Sequence, residues 1–346
     1  KNIRSKWLFE FSKDIKNLLK QNKKVIIVTS GAIAMGCKKL NLSKKNLKLE
    51  KSQAVASIGQ IELMNLFNKS FNKNKINISQ VLLTLDDTEQ RRRALNAKRT
   101  FDNLFDLGFV PIVNENDTTA TTEIKYGDND RLASRVAQIS SADILILLSD
   151  VDGLYTKNPK IDKSAELIKE IRNIDKNIEH ISTKSTGEHG TGGMKTKIDA
   201  AKVCQFSGCT MAIANGLSLR PIQKILKENN CTWFLPKVSK LDARKKWIIS
   251  SISPKGELVI DDGAKSALKK GKSLLAAGIR KVIGRFNKGD HIKIIDKNYK
   301  ECARGLSSFS SFEIMKIMGH HSNEIENLLG YISKSEVVHK DDMVEL

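Results

Sequence analysis

The sequence predicts a mainly parallel α/β sheet covered by helices on both faces, followed by a smaller β-rich domain. Three observations carry this. The runs Val25-Ile26-Ile27-Val28, Phe109-Val110-Pro111-Ile112-Val113, Ile144-Leu145-Ile146-Leu147-Leu148 and Thr210-Met211-Ala212-Ile213-Ala214 have the length and continuous apolar texture of strands buried on both faces. Segments of helical periodicity alternate with them, as a parallel sheet with crossover helices requires. Beyond Pro236 the texture changes to short strands punctuated by glycines.

In order, Leu8, Phe11, Ile15, Leu18 and Leu19 recur at helical spacing and predict a first helix, ahead of strand 25–28 and the turn Thr29-Ser30-Gly31. A helix through Val55 to Phe67, a strand near Val81 to Leu83 and a helix around Ala94 to Leu107 lead to strand 109–113. A helix from about Leu132 precedes strand 144–148, and Lys197 to Phe206 precedes strand 210–214. Ligands of such sheets bind at the carboxyl ends of the strands, where the polar and Gly-rich segments of this chain fall. We expect one domain over 1–236, a charged linker over 237–246 and a β-rich domain over 247–346. The last contains Glu257-Leu258-Val259-Ile260 and His291-Ile292-Lys293-Ile294-Ile295, with glycines at 256, 263, 271, 278, 284, 289 and 305.

Composition narrows the class. With 346 residues and 40% hydrophobic content, two domains with sizeable cores are expected, and no apolar run approaches the ~20 residues of a membrane-spanning helix. The chain opens Lys-Asn-Ile-Arg, unlike a secretion signal, so a cytoplasmic protein is the expectation. Its five cysteines (Cys37, Cys204, Cys209, Cys231, Cys302) are scattered and never paired as Cys-x-x-Cys, against both a disulfide framework and a zinc site. The net charge of +20 favours anionic partners, but the lysines spread along the whole chain, as a solvated surface would have them.

Four strand-end segments could carry chemistry. Gly190-Thr191-Gly192-Gly193-Met194-Lys195-Thr196-Lys197 opens a predicted helix, where glycines admit phosphate oxygens to backbone N–H groups and lysine adds charge. It lacks the Walker A order, and a flexible linker has the same composition. Asn114-Glu115-Asn116-Asp117 and Lys125-Tyr126-Gly127-Asp128-Asn129-Asp130 concentrate carboxylates and amides suited to an ammonium, a magnesium ion or lysines, and equally suited to turns. Thr29-Ser30-Gly31-Ala32 would let a ligand carboxylate approach the backbone. Leu148-Ser149-Asp150-Val151-Asp152-Gly153-Leu154-Tyr155-Thr156 offers polar atoms to a nucleotide, or forms a tight turn with a packed tyrosine. The histidines show no metal spacing, no metal ligand set is expected, and no Gly-x-Ser-x-Gly elbow is present.

In this order, Val28-Thr29-Ser30-Gly31-Ala32-Ile33-Ala34, Asn114-Glu115-Asn116-Asp117, Gly127-Asp128-Asn129-Asp130, Ser149-Asp150 with Gly153-Leu154-Tyr155, and Gly190 to Lys197 resemble the amino acid kinase family. Within it the likeness is greatest to the members that phosphorylate free glutamate. Ile260-Asp261-Asp262-Gly263-Ala264, Gly278-Ile279 and Gly319-His320-His321-Ser322 resemble the PUA domain that follows the kinase domain in many of them. The resemblance implies the amino acid kinase fold, ATP and Mg2+, and phosphorylation of the γ-carboxylate of L-glutamate, the first step of proline synthesis. Proline as feedback inhibitor, a homo-oligomer (dimer or tetramer) and RNA as a partner of the PUA domain are further implications. By the same resemblance, Ser30, Gly31, Asp117, Asp128 and Asn129 would bind glutamate. Ser149, Asp150, Thr191, Gly192, Gly193, Met194, Lys195, Thr196 and Lys197 would bind ATP. Lys197 would neutralise the transferring phosphoryl group and Asp130 would orient the catalytic lysines.

Family members begin with a strand ending in Lys-x-Gly-Ser/Thr, whereas this sequence starts inside the following region, and neither Lys1 nor Lys6 ends an apolar strand. A polypeptide of this extent by itself is therefore expected to be nearly inactive. The competing enzymatic reading is a family member acting on N-acetylglutamate, aspartate or a nucleoside monophosphate. The competing non-enzymatic reading is an RNA-binding protein.

Overall fold

The computed structural model describes residues 5–43, 47–120, 128–159, 161–184, 193–239, 254–331 and 334–345. It divides into two compact units, Lys1–Ser239 and Lys240–Leu346. The first unit runs α1 (Ser5–Lys20), β1 (Ile27–Val28), α2 (Ala32–Lys39), α3 (Leu49–Asn72), β2 (Asn77–Leu83), α4 (Leu85–Glu89), α5 (Arg91–Asp106), β3 (Phe109–Glu115), α6 (Asp128–Ser140), β4 (Ile144–Ser149), β5 (Glu170–Ile171), α7 (Lys176–Lys184), α8 (Gly193–Ser207), β6 (Thr210–Asn215), α9 (Pro221–Glu228) and β7 (Cys231–Phe234).

The strands form two ladders, β1-β3-β2 and β4-β6-β7-β5. Every pairing is parallel except β6 with β7. Mainly parallel pairing with crossover helices is the fold class the apolar runs predicted. Boundaries differ where polar residues joined an element that the apolar pattern did not reach. Only Ile27 and Val28 of the run 25–28 are in a ladder, α6 starts at Asp128 rather than Leu132, and α8 starts at Gly193 rather than Lys197. β4 is also less buried than a continuous apolar run suggests, with Ile144 52% exposed. The short elements α4, α9, β5 and β7 were too brief to show a period.

The first turns of α2, directly after the Ser30-Gly31 turn, pack unusually closely against the middle of α3. A Cβ at Gly59 would lie 1.8 Å from the Ala32 carbonyl oxygen and 2.4 Å from Gly36 N, and one at Gly36 would lie 2.0 Å from the Val55 carbonyl oxygen. These are backbone atoms and cannot swing aside. Gly59→Ala should therefore reverse the usual sign of a helical Gly→Ala change, losing more than about 2 kcal/mol where helix propensity alone would gain about 1. A thermal melt of the variant checks it.

Helix α1 is tied to α9 by Asp14, which is only 2% exposed. Its carboxylate accepts from Ile222 N at 2.9 Å, Gln223 N at 3.2 Å and Arg220 Nε at 3.1 Å. Seven residues earlier on the same helix, the Trp7 indole N–H is shared between the carbonyls of Gly216 (2.7 Å) and Ser218 (2.9 Å).

The second unit comprises β8 (Gly256–Ile260), α10 (Asp262–Lys269), β9 (Leu274–Leu275), β10 (Ile279–Gly284), β11 (His291–Ile295), β12 (Glu301–Leu306), α11 (Ser311–Ile317), α12 (Ile325–Leu329), β13 (Glu336–Val338) and β14 (Met343–Glu345). Its main sheet has the order β10-β8-β11-β12-β14, with β13 paired to β9 apart from it. Leu258, Ile292, Ile294, Phe309, Ile314 and Val337 fill its core. Asp296, 3% exposed, accepts from Lys265 Nζ at 2.6 Å and from the backbone N–H groups of Asn298 and Lys300. The lysine hydrogen bond, then the backbone donors, hold this carboxyl below its ordinary value of 3.8. A depressed acid stabilises the fold above its unfolded value and loses that contribution as pH falls through the lowered one. Protection of the β11 and β12 amides, taken relative to their intrinsic exchange at the same pH, should accordingly fall below about pH 4, and Asp296→Asn should flatten that acid limb.

Candidate active site

The chemistry-bearing residues converge on the first turn of α6, at the carboxyl ends of β1, β3 and β4. Successive residues of a helix point about 100° apart, so Asn129 and Asp130 face different neighbours. Asn129 Nδ2 donates to the Thr29 carbonyl at the end of β1 and, at 3.4 Å, to Asn114 Oδ1 on β3. Asp130 turns instead to α8. Its Oδ2 accepts from Lys197 Nζ and from Thr196 Oγ1, each at 2.9 Å. The ion pair is largely sheltered, with the two side chains 14% and 18% exposed. Small residues permit the approach, since Ala133 and Ala137 of α6 share one buried cluster with Ala200 and Ala201 of α8.

The residues expected to hold glutamate sit around β1 and β3. Ser30 is exposed just beyond β1, whose ladder is continued by Thr29 N donating to the Val113 carbonyl at 2.9 Å. Gly31 caps α2 with φ 112° and open space where a Cβ would be, so glycine serves the backbone conformation there. Asp117 is half-buried in the turn after β3. Its neighbour Asn116 is a turn residue, accepting from Thr118 Oγ1 through its side chain and from Thr119 N and Ala120 N through its carbonyl. Asp128 begins α6; its side chain, and the residues 125–127 ahead of it, lie outside the described residues.

On the other side, Ser149 ends β4 and its Oγ donates to Asp150 Oδ1 at 3.2 Å. Thr191 and Gly192 lie outside the described residues, while Gly193, Met194, Lys195, Thr196 and Lys197 form the start of α8. The backbone N–H groups of that turn have no intrahelical partners and carry the positive end of the helix dipole. The turn after β4 is also tightly built. Leu154 N donates to Thr232 Oγ1 at 2.8 Å, and a Cβ on Gly153 would meet that oxygen at 2.2 Å. Tyr155 donates to Asp152 Oδ2 at 3.1 Å; burial and then the carboxylate raise its pKa above the ordinary value.

Sequence reasoning passed over the loop after β6. Gly216 N donates to the Ser149 carbonyl at 2.8 Å, and a Cβ at Gly216 would strike Leu148 Cβ at 2.7 Å, so this loop lies directly against the end of β4. Beside it is a cavity of about 330 Å³ lined by Asp152, Asn215, Ser218 and Lys224 together with Leu217 and Ile225. The signal was the tripeptide Asn215-Gly216-Leu217 at a strand end. Gln60 was also missed, although it falls on the buried stripe Val55, Ala56, Gly59, Leu63, Phe67 of α3, where a polar residue is conspicuous.

The model of the amino acid kinase family matches residues 4–215, and that of the PUA domain residues 256–329. The chain belongs to the amino acid kinase family. Among curated amino acid kinases it is 82% identical over its whole length to the glutamate 5-kinase of Pelagibacter ubique (strain HTCC1062), 94% of which it covers. It is 47% identical over 99% of its length to the glutamate 5-kinase of Agrobacterium fabrum (strain C58 / ATCC 33970), covering 88% of that chain. Among solved structures, carbamate kinase from Giardia lamblia bound to AMP-PNP aligns with 68% of this amino acid kinase and 90% of its own chain, at TM-score 0.47 and 15% identity.

Proposed function

We propose that the protein transfers the γ-phosphoryl group of ATP to the γ-carboxylate of L-glutamate, the first step of proline synthesis. The observation that carries this is the first turn of α6, which sets an amide beside the Ser30 turn and a carboxylate on the lysine of α8. The names of the 82% and 47% identical relatives support the same acceptor. A carboxylate oxygen is already a nucleophile and needs no general base, so the protein must chiefly place two anions in line and offset their repulsion. In this reading Ser30, Gly31, Asp117, Asp128 and Asn129 hold glutamate. Ser149, Asp150 and residues 191–197 hold ATP, and Lys197, oriented by Asp130, faces the transferring group.

Among the described residues, no group of three or more His, Cys, Asp or Glu is arranged to hold a metal. A Mg2+ that accompanies ATP is held mainly by the phosphates and water and needs few protein carboxylates. Bound there, the ion would neutralise phosphate charge. The test is an ATP-dependent assay with hydroxylamine on protein carrying whatever its gene encodes ahead of Lys1. γ-Glutamyl hydroxamate is expected; its absence, with N-acetylglutamate, aspartate or a nucleoside monophosphate phosphorylated instead, would overturn the choice of acceptor.

The PUA match supports RNA as a second partner, with binding that weakens steeply as salt rises. Filter binding across a salt series tests it. Inhibition by proline, assembly into dimers or tetramers and a cytoplasmic location belong to the same proposal on resemblance. Rate assays with added proline, sedimentation and cell fractionation test them. Among the described residues no helix is long and apolar enough to cross a membrane.

A further inference from the structure

We propose that Gln60 is a positioning residue that fixes which way the Asn129 amide points, and thereby makes the site read the α-ammonium of glutamate. The inference rests on the proposed glutamate site. Four side-chain amides form one chain from the substrate turn to the surface. Asn129 Nδ2 donates to Asn114 Oδ1 at 3.4 Å, Asn114 Nδ2 to Gln60 Oε1 at 2.9 Å, and Gln60 Nε2 to Gln80 Oε1 at 3.1 Å. They come from α6, β3, α3 and β2. Asn114 is 3% and Gln60 9% exposed, whereas Gln80 is exposed.

An amide presents a donor at one end and an acceptor at the other, and a chain of them runs in one direction only. The direction here is held at two points, by the Thr29 carbonyl at Asn129 and by the acceptor oxygen that Gln60 presents to Asn114. The Thr29 carbonyl, which can only accept, takes a hydrogen bond from Asn129 Nδ2, so Asn129 Oδ1 is turned away from both Thr29 and Asn114. An outward oxygen accepts from an ammonium and repels a carboxylate. A flipped Asn129 would set oxygen against the Thr29 carbonyl and require Asn114 to reverse as well. Asn114 is kept from reversing by Gln60, the acceptor for its nitrogen. Without that acceptor, the buried Asn114 amide nitrogen has no partner on the Gln60 side and gains by turning towards Asn129. Asn129 is then pulled two ways, its oxygen inward to accept from Asn114 and its nitrogen held by the Thr29 carbonyl, so its amide loses the single orientation that keeps the oxygen outward.

The test compares L-glutamate with glutarate, which has both carboxylates and lacks the ammonium. In steady-state assays with saturating ATP, Gln60→Met should lower the glutamate-over-glutarate ratio of kcat/KM by about tenfold, the worth of one oriented hydrogen bond to a charged group. KM for ATP should not move. Gln60→Glu keeps an oxygen for Asn114 Nδ2, and exposed Gln80 can turn its nitrogen to the new carboxylate, so this variant should hold the ratio within about twofold. Equal losses for both acceptors in Gln60→Met, or a ratio that collapses in Gln60→Glu as well, would overturn the relay while leaving the kinase reading intact. Wild-type protein that phosphorylates other acceptors but not glutamate would overturn the kinase reading and the relay with it.

Discussion

Replacing Lys197 by methionine should lower kcat for glutamate phosphorylation roughly 10²–10³-fold, the scale on which enzymes lose rate when one preorganised charge or donor at the reacting group is removed. Lys197 is already positioned without substrate, because its ammonium lies 2.9 Å from Asp130 Oδ2 in a sheltered pair. Thr196 Oγ1 shares that oxygen, which fixes the carboxylate in turn. Methionine keeps the length and packing of the stem and removes the charge. Thr196 Oγ1 still donates to the Asp130 carboxylate when the ammonium is gone, which limits the loss of stability, and a thermal melt beside the rate measurement separates lost catalysis from lost structure. Asp130→Asn leaves Lys197 charged but unanchored, so a smaller fall of about tenfold is expected, with part of it in KM. Single-turnover rates at saturating ATP and glutamate distinguish the two variants.

Asp14→Ala should cost the most stability of any single side-chain truncation considered, about 3 kcal/mol, lowering Tm by roughly 6–12 °C. The reason lies at the start of α9. Arg220, its N-cap, makes no side-chain cap, and Pro221 at the first helical position has no N–H to satisfy. The orphan donors that remain, Ile222 N and Gln223 N, are taken by Asp14 from a helix more than 200 residues away. Truncation leaves both N–H groups and the Arg220 guanidinium without their carboxylate in a nearly closed site. Asp14→Asn retains an acceptor for the backbone groups and should lose about half as much. Denaturant titration of both variants, read at constant m, checks the order.

Most of the fold was legible because the strands are continuous apolar runs and the helices between them keep a clear 3.6-residue period. What escaped had a physical cause. α9 is eight residues long, and its start is secured by a residue on α1, so no local signal marks it. The starts of α6 and α8 are polar because their side chains are spent on hydrogen bonds to β1, to β3 and to each other, and a hydrophobic pattern registers them late. In the site, strand-end position and motif likeness pointed to Ser30, Asn129, Asp130, Ser149 and Lys197. They could not reveal that Asn129 and Asp130 divide their work between two neighbours. Gln60 and Gly216 contribute through contacts to residues 54 and 67 positions distant, which no short motif contains.

That division at α6 has a consequence for how the two substrates would sense each other. The helix is a stiff rod of 13 residues whose opening turn is grasped by the sheet on one side and by α8 on the other. On the proposed assignment, a displacement that brings the Asn129 amide closer to glutamate would also rotate the Asp130 carboxylate, and with it the ammonium proposed to meet ATP. The lever arm is a single residue long. By reciprocity, whatever factor one ligand gains from the presence of its partner, the partner must gain from it. On that proposed assignment the first turn of α6 would be a fulcrum between the two halves of the reaction, and its rigidity would make the pair bind as correlated events.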